Sequence, residues 1–291
     1  MKNDIYQEIT NYIIKALEKV ELSDYKAPFA QIFSDLPPMN PTTGNYYHGI
    51  NTVFLWCVQS EQSFASNEWA TYQQWKEKGA QVKKGQKSSQ IIYYKKVEKK
   101  EEAQAGGQDE KSFYNMLKSY CVFNADQVDG YEPETDSTKE VFGTVEKIAE
   151  IEQFIEKTKA VIETGAKASF SPLLDKITMP KENLFFDGEQ SATENYYAVL
   201  LHELTHWTGG TARLDRKPLT VKDNKQGYAF EELIAELGSA FLCAKFGIKQ
   251  QTRDDHAIYI KSWLQALKND SKHIFKASAQ AQKAVDYLNG L

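Results

Sequence analysis

The pentad His202-Glu203-Leu204-Thr205-His206 constrains this chain more than any other stretch. Residues four apart lie about one turn apart on a single helix face, so the two imidazoles can share one tetrahedral cation only if the segment is helical. The surroundings supply that helix. Tyr196-Tyr197-Ala198-Val199-Leu200-Leu201 places apolar residues on the neighbouring face, and Gly209-Gly210 provide a stop just past Trp207. His202 and His206 are therefore candidate metal ligands, and Glu203 beside them is the candidate catalytic base that takes a proton from an attacking water.

Two histidines leave a ligand to be found. A third histidine six residues after the pentad would fall at Ala212, which excludes the all-histidine pattern. Downstream, the segment Tyr228 to Gly238 reads as a second helix, with Phe230, Leu233, Ile234, Leu237 and Phe241 as its buried stripe. Glu232 and Glu236 share one face of it. That pair suits a glutamate ligand at 232 and a second carboxylate at 236 that fixes a ligand imidazole through its other nitrogen. The competing reading is a solvated acidic face. Glu231 lacks such a companion, since the residue one turn on is Ala235. The donor set of two imidazoles and a carboxylate fits zinc, or another divalent transition metal, with the fourth position open. Tyr228 and Arg213 are candidates for a further donor to a reacting carbonyl, whereas His256 and His273 have no partner spacing and read as ordinary polar positions.

At 291 residues the chain is long enough for two cores. No apolar run approaches the ~18 residues that cross a bilayer, and the first eight residues lack a basic region followed by an apolar block. A cytoplasmic protein with no membrane partner is expected. Cys57, Cys121 and Cys243 are far apart and odd in number, which argues against a disulfide framework and suggests small buried apolar positions.

The net charge of -5 conceals an uneven distribution. Between Trp69 and Lys100 there are nine lysines against Glu77 and Glu98 alone. Such a block can neutralise phosphates. All three arginines lie later, at 213, 216 and 253, so the block offers point charges without the planar forks that read guanine. Binding there would be largely indifferent to base sequence. The alternative is a solvated basic surface, and the aromatics in or near the block, Tyr46, Tyr47, Trp69, Tyr72, Trp75, Tyr93 and Tyr94, could equally be core.

Periodicity predicts a first helix from Asn3 or Asp4 to Val20, a proline-rich loop, a short helix over 52–60 and another over Trp69 to Lys78. Residues 90–99 and 112–124 read as a hairpin around a charged loop over 99–111. A helix is expected over about 144–163, then short strands over 168–172 and 175–180, the two metal helices, and helices over 254–267 and 274–288. The fold class is thus α+β in two domains: residues 1–130, a linker at 131–142, and a mostly helical second domain with a small sheet at 143–291.

The chain resembles the ArdC-type antirestriction proteins of conjugative plasmids. In the first domain the resemblance rests on Pro38 to Gly44, Tyr47-His48-Gly49-Ile50-Asn51, Trp69 to Gln74, Gly79 to Gly85 and Val122 to Gln127; in the second, on Tyr196-Tyr197, His202 to Gly209, Arg213 to Arg216 and Tyr228 to Phe241. It implies an N-terminal single-stranded-DNA-binding domain joined to a zincin-like (gluzincin-type) metallopeptidase domain, and protection of incoming mobile-element DNA from restriction. Single-stranded DNA is then the expected partner, with a restriction enzyme or another protein as possible substrate. Lys83, Lys84 and Lys87 would track phosphates, while Tyr47 and Trp69, both in motif loops, would stack on bases. The alternative within this resemblance is a DNA-coating protein whose metal site is structural or vestigial.

Overall fold

The computed structural model describes residues 4–18, 37–98, 113–132, 145–185, 190–216, 225–248 and 256–291. In chain order its elements are α1 (Ile5–Glu18), β1 (Met39–Asn40), β2 (Asn45–Tyr46), α2 (Ile50–Gln62), β3 (Trp69–Thr71), α3 (Tyr72–Glu77), β4 (Gln81–Val82), β5 (Ser89–Glu98), β6 (Phe113–Asn124), β7 (Val128–Asp129), α4 (Ala149–Thr158), β8 (Val161–Thr164), β9 (Ser169–Ser171), β10 (Lys176–Met179), α5 (Ala192–Thr208), α6 (Lys225–Phe246), α7 (His256–Asn269) and α8 (His273–Asn289). The class is α+β. The charged segment 99–111 and all but two residues of the expected linker 131–142 lie outside the described residues. Among the described residues no helix is long and apolar enough to cross a membrane.

Contacts group the chain differently from its linear order. One unit comprises residues 1–38, 46–67 and 134–291; the other comprises 39–45 and 68–133. The apolar stripe of α1 explains this grouping, since Ile9, Ile13 and Leu17 are all buried and Thr10 donates to the Ser271 carbonyl at 2.6 Å. At the start of α2 the Gly49 amide donates to Gln282 of α8. Trp56, with no exposed surface, lies with its ring 6.1 Å from that of Phe241 on α6. These N-terminal helices thus complete the core around α5, α6 and α8.

The first unit also carries a three-stranded sheet, ordered β8-β10-β9, with β8 parallel and β9 antiparallel to β10. A single helix over 144–163 does not form. Lys159 adopts φ 54 and ends α4, and the β-branched run after it becomes β8.

In the second unit, β5 and β6 pair antiparallel from Ser89↔Val122 to Glu98↔Phe113, and β3 joins the other edge of β6. The helix expected from Trp69 starts only at Tyr72. Thr71 caps it, its hydroxyl accepting from the Gln74 amide while Gln74 reaches back, so Trp69 and Ala70 are left extended as β3. The small core is Ala70, Trp75, Ala80, Ala125 and Val128. Cys57 and Cys243 are buried as expected; Cys121, in β6, is exposed.

The close crossing of α5 and α6 turns on one residue. A Cβ built at Gly238 would stand 2.5 Å from Thr205 Cγ2 and 2.9 Å from its Oγ1, and that hydroxyl is already held by the Leu201 carbonyl at 2.9 Å. Thr205 is short and cannot swing away. Gly238→Ala should therefore lose more to overpacking than the ~1 kcal/mol it gains in helix propensity, for a net destabilisation of about 1–2 kcal/mol in thermal denaturation. Adding Thr205→Ser, which removes the methyl and keeps the hydroxyl, should restore most of that loss.

Candidate metal centre

Helix α5 begins at a capping box in which Ser191 accepts from the Glu194 amide and Glu194 reaches back to Ser191. Fifteen of its seventeen residues are buried, so it is wrapped on all sides and its polar pentad projects into protein instead of water. His202, Glu203 and His206 are 3%, 2% and 6% exposed. Helix α6 brings Glu231, Glu232 and Glu236 against them, all buried.

The sequence-predicted ligands converge. His202 Nε2 lies 3.6 Å from Glu232 Oε2, and His206 Nε2 lies 3.5 Å from Glu232 Oε1. One donor atom from each of the three falls within 4.8 Å of the others. Tetrahedral bonds of ~2.1 Å place donors about 3.4 Å apart, so this spacing fits a small divalent ion held by three protein ligands. Both histidines offer Nε2 to the centre and turn Nδ1 outward.

Each Nδ1 meets a second carboxylate. Glu236 Oε2 is 3.5 Å from Nδ1 of His202, as the spacing on α6 predicts. His206 is held by a residue that helix-face reasoning set aside: its Nδ1 lies 3.2 Å from Glu231 Oε1. Glu231 in turn receives a fork from Arg216, with Nη2 at 2.6 Å from Oε1 and Nε at 2.9 Å from Oε2. The remaining Arg216 donors reach the Thr208 hydroxyl and the Thr205 carbonyl, both at 2.7 Å. The companion of Glu231 thus comes from the loop after α5. The signal available in the sequence was Arg216 itself, one of only three arginines in the chain.

The electrostatics follow from this packing. Burial alone would lower the His206 pKa, but the charges of Glu232 and Glu231 outweigh it and raise it. Burial raises Glu232 and Glu231; the two histidines override it at Glu232, and His206 with Arg216 override it at Glu231, leaving both carboxylates ionised. The site is electron-rich and attracts positive charge.

Arg213 has other work than polarising a carbonyl. Its guanidinium stacks 3.9 Å over Trp207, donates to the Trp207 carbonyl and forks onto Asp175, tying the β9–β10 turn to the end of α5. Tyr228 is half exposed, one turn before Glu232 on the same face of α6.

The candidate DNA residues separate. Tyr47 belongs to the first unit, where with Trp56 and Phe241 it lines a pocket of about 520 Å³. Trp69, in β3, has no exposed surface and cannot stack on a base. Lys83 is partly committed, donating to the Asp126 carbonyl at 3.0 Å. Lys84 and Lys87 are exposed in the loop between β4 and β5.

If Arg216 and Glu231 hold the His206 ring, their loss should appear in metal affinity. Glu231→Gln and Arg216→Met are each expected to weaken binding of a divalent ion about 10- to 100-fold in a chelator-competition titration.

Comparison with known proteins places this geometry in a family. Residues 149–280 match a zincin-like metallopeptidase family, which implies a divalent metal, and residues 3–123 match the N-terminal domain of anti-restriction factor ArdC. The metal-free crystal structure of the antirestriction ArdC protein from plasmid R388 is similar with a TM-score of 0.79 at 39% identity, covering 98% of this chain and 97% of that one. The Mn(II)-bound structure of that protein gives 0.77 at 37% identity, covering 99% and 97%. An uncharacterized protein of Sinorhizobium fredii is 36% identical over 98% of this chain and 92% of its own length. A DNA primase TraC of Escherichia coli is 35% identical over 86% of this chain, which there spans only 17% of the primase. Carrying both matched regions in order and aligned with ArdC along nearly its whole length, the chain belongs to the ArdC family of antirestriction proteins.

Proposed function

We propose that the chain is a cytoplasmic antirestriction protein that binds single-stranded DNA largely without sequence specificity, within residues 1–130, and hydrolyses a peptide bond at the α5–α6 site. In this reading it protects incoming mobile-element DNA, and the peptide substrate is a restriction enzyme or another protein met on that DNA. The observation that carries the catalytic part is the convergence of His202, His206 and Glu232 in a buried cluster with Glu203 in the same helical turn.

Zinc, or another divalent transition metal such as the Mn(II) of the R388 relative, would be held by His202, His206 and Glu232, supplying Lewis acidity to a water and to the scissile carbonyl. The chain's own residues do the rest. Glu203 takes the proton of the attacking water and delivers it to the leaving amine. Glu236 and the Glu231–Arg216 pair fix the two imidazole rings, so the ligands need no reorganisation during turnover. The DNA part draws on the lysine block, where exposed Lys84 and Lys87 offer charge to phosphates.

Glu203→Gln separates catalysis from metal holding. The variant should bind zinc and manganese as the parent does, by elemental analysis, and lose about 10²- to 10⁴-fold in cleavage of a peptide library. If it cleaves as well as the parent, the catalytic reading fails. Conjugal transfer into a restricting recipient then divides the remaining question. Protection that survives Glu203→Gln assigns the metal a structural role, and protection that is lost ties it to proteolysis.

A further inference from the structure

The hairpin β5–β6 leaves two large aromatics in solvent. Tyr93 is 57% exposed and Tyr120 is 44% exposed. The register puts them on one face, since Tyr93 is directly opposite Lys118 and Ile91 directly opposite Tyr120. The two tyrosines are thus diagonal neighbours, about 7–8 Å apart at the backbone. Toward β3 the same face is closed, because Val122, Asn124 and Trp69 alternate along it and all three are buried. The face changes from covered to open within a few residues, and where it opens it presents two rings and the exposed Lys118.

A second observation concerns the loop that leads into β5. The buried Gln127 accepts from the Asn124 amide through its Oε1 and donates from Nε2 to the Lys87 carbonyl at 2.9 Å and to Gln86 Oε1 at 3.1 Å. Its own carbonyl accepts from the Lys83 amide at 2.9 Å. One interior amide therefore holds the loop carrying Lys84 and Lys87 to the end of the sheet. Lys87 precedes β5 by two residues, and Ser89 to Tyr93 spans about 13 Å of strand. Exposed lysines on a tethered loop stand at one end of the face, and tyrosines with a further lysine stand at the other.

We propose that this face, with Tyr93 and Tyr120 as stacking rings and Lys118, Lys87 and Lys84 as phosphate contacts, is where single-stranded DNA lies on the chain. The inference rests on the reading of this protein as a single-strand binder and adds the surface. It transfers the stacking role from Trp69, which is enclosed, to two tyrosines that are open. Single strands suit the face because their bases can turn onto an aromatic ring, while the bases of a duplex are already stacked. An acidic peptide could satisfy the lysines and would leave the paired rings without work. The tyrosines tolerate any base, since every base has a π face, and the lysines read none.

The test uses the full-length protein and a labelled fifteen-nucleotide oligothymidylate in fluorescence anisotropy. The parent should bind it, with affinity falling by a log–log salt slope of about -0.7 per phosphate contacted, and should bind a duplex and polyglutamate far more weakly. Tyr93→Ala and Tyr120→Ala should each weaken binding about 5- to 100-fold, whereas Tyr93→Phe and Tyr120→Phe stay close to the parent. Lys84→Ala and Lys87→Ala should each reduce the salt slope. An oligonucleotide of abasic sites with the same charge provides the decisive comparison: the parent should lose affinity for it, and Tyr93→Ala should add little further loss. If the parent binds oligothymidylate while the alanine variants match it on both strands, the stacking face is overturned and the single-strand reading stands. If the parent binds no single strand, that reading fails and the surface fails with it.

Discussion

Three carboxylates buried on one helix are the constraint around which the first unit is built. Glu231, Glu232 and Glu236 are all at most 6% exposed, and removing an unpaired carboxylate from water costs several kcal/mol. Each is met from α5 or the loop behind it, Glu232 by two Nε2 atoms, Glu236 by a Nδ1, and Glu231 by a Nδ1 and a guanidinium. Neither helix could bury its polar groups alone. The close approach permitted by the missing side chain at Gly238 is what lets donors and acceptors meet, so a packing detail and the chemistry of the site share one cause. A cation at the Nε2 side completes the same balance, which is why the arrangement reads as a metal centre and not merely as an ion-pair network.

How much of this was legible in the sequence depends on where each partner comes from. His202 with His206 on α5, and Glu232 with Glu236 on α6, could be read because each pair is a repeat of four along its own helix, and helical geometry is local. Glu231 could not. Its partners are His206, from another helix, and Arg216, from the loop after that helix, so a search for companions along α6 was bound to miss them. Arg213 and Arg216 are three residues apart and serve different ends, one clamping the β9–β10 turn and the other supporting a ligand. Nothing in their spacing distinguishes those ends.

The same limit appears in the second unit. Residue type assigns the largest stacking surface to Trp69, but whether a ring is open is decided by what covers it; α3 begins three residues later than expected, and Trp69, left in β3, has no exposed surface. Alternation in β5 and β6 correctly gave a hairpin. It did not tell which end of the hairpin face is closed, because closure depends on β3 pairing with β6 across about fifty residues of chain. Likewise, residues 144–163 carry good helical periodicity until Lys159 turns left-handed, after which side-chain branching favours β8.

The grouping of contacts shows how the metal helices are supported. The metal helices do not form a module that begins after residue 143, since α1 and α2 are packed into the same core and Trp56 lies fully buried near Phe241. Phe241 stands on α6, nine residues from Glu232, and α8 is held to the start of α2 by the Gln282 bond. The second unit takes residues 39–45 and 68–133, so the scaffold of the metal helices is drawn from both halves of the chain.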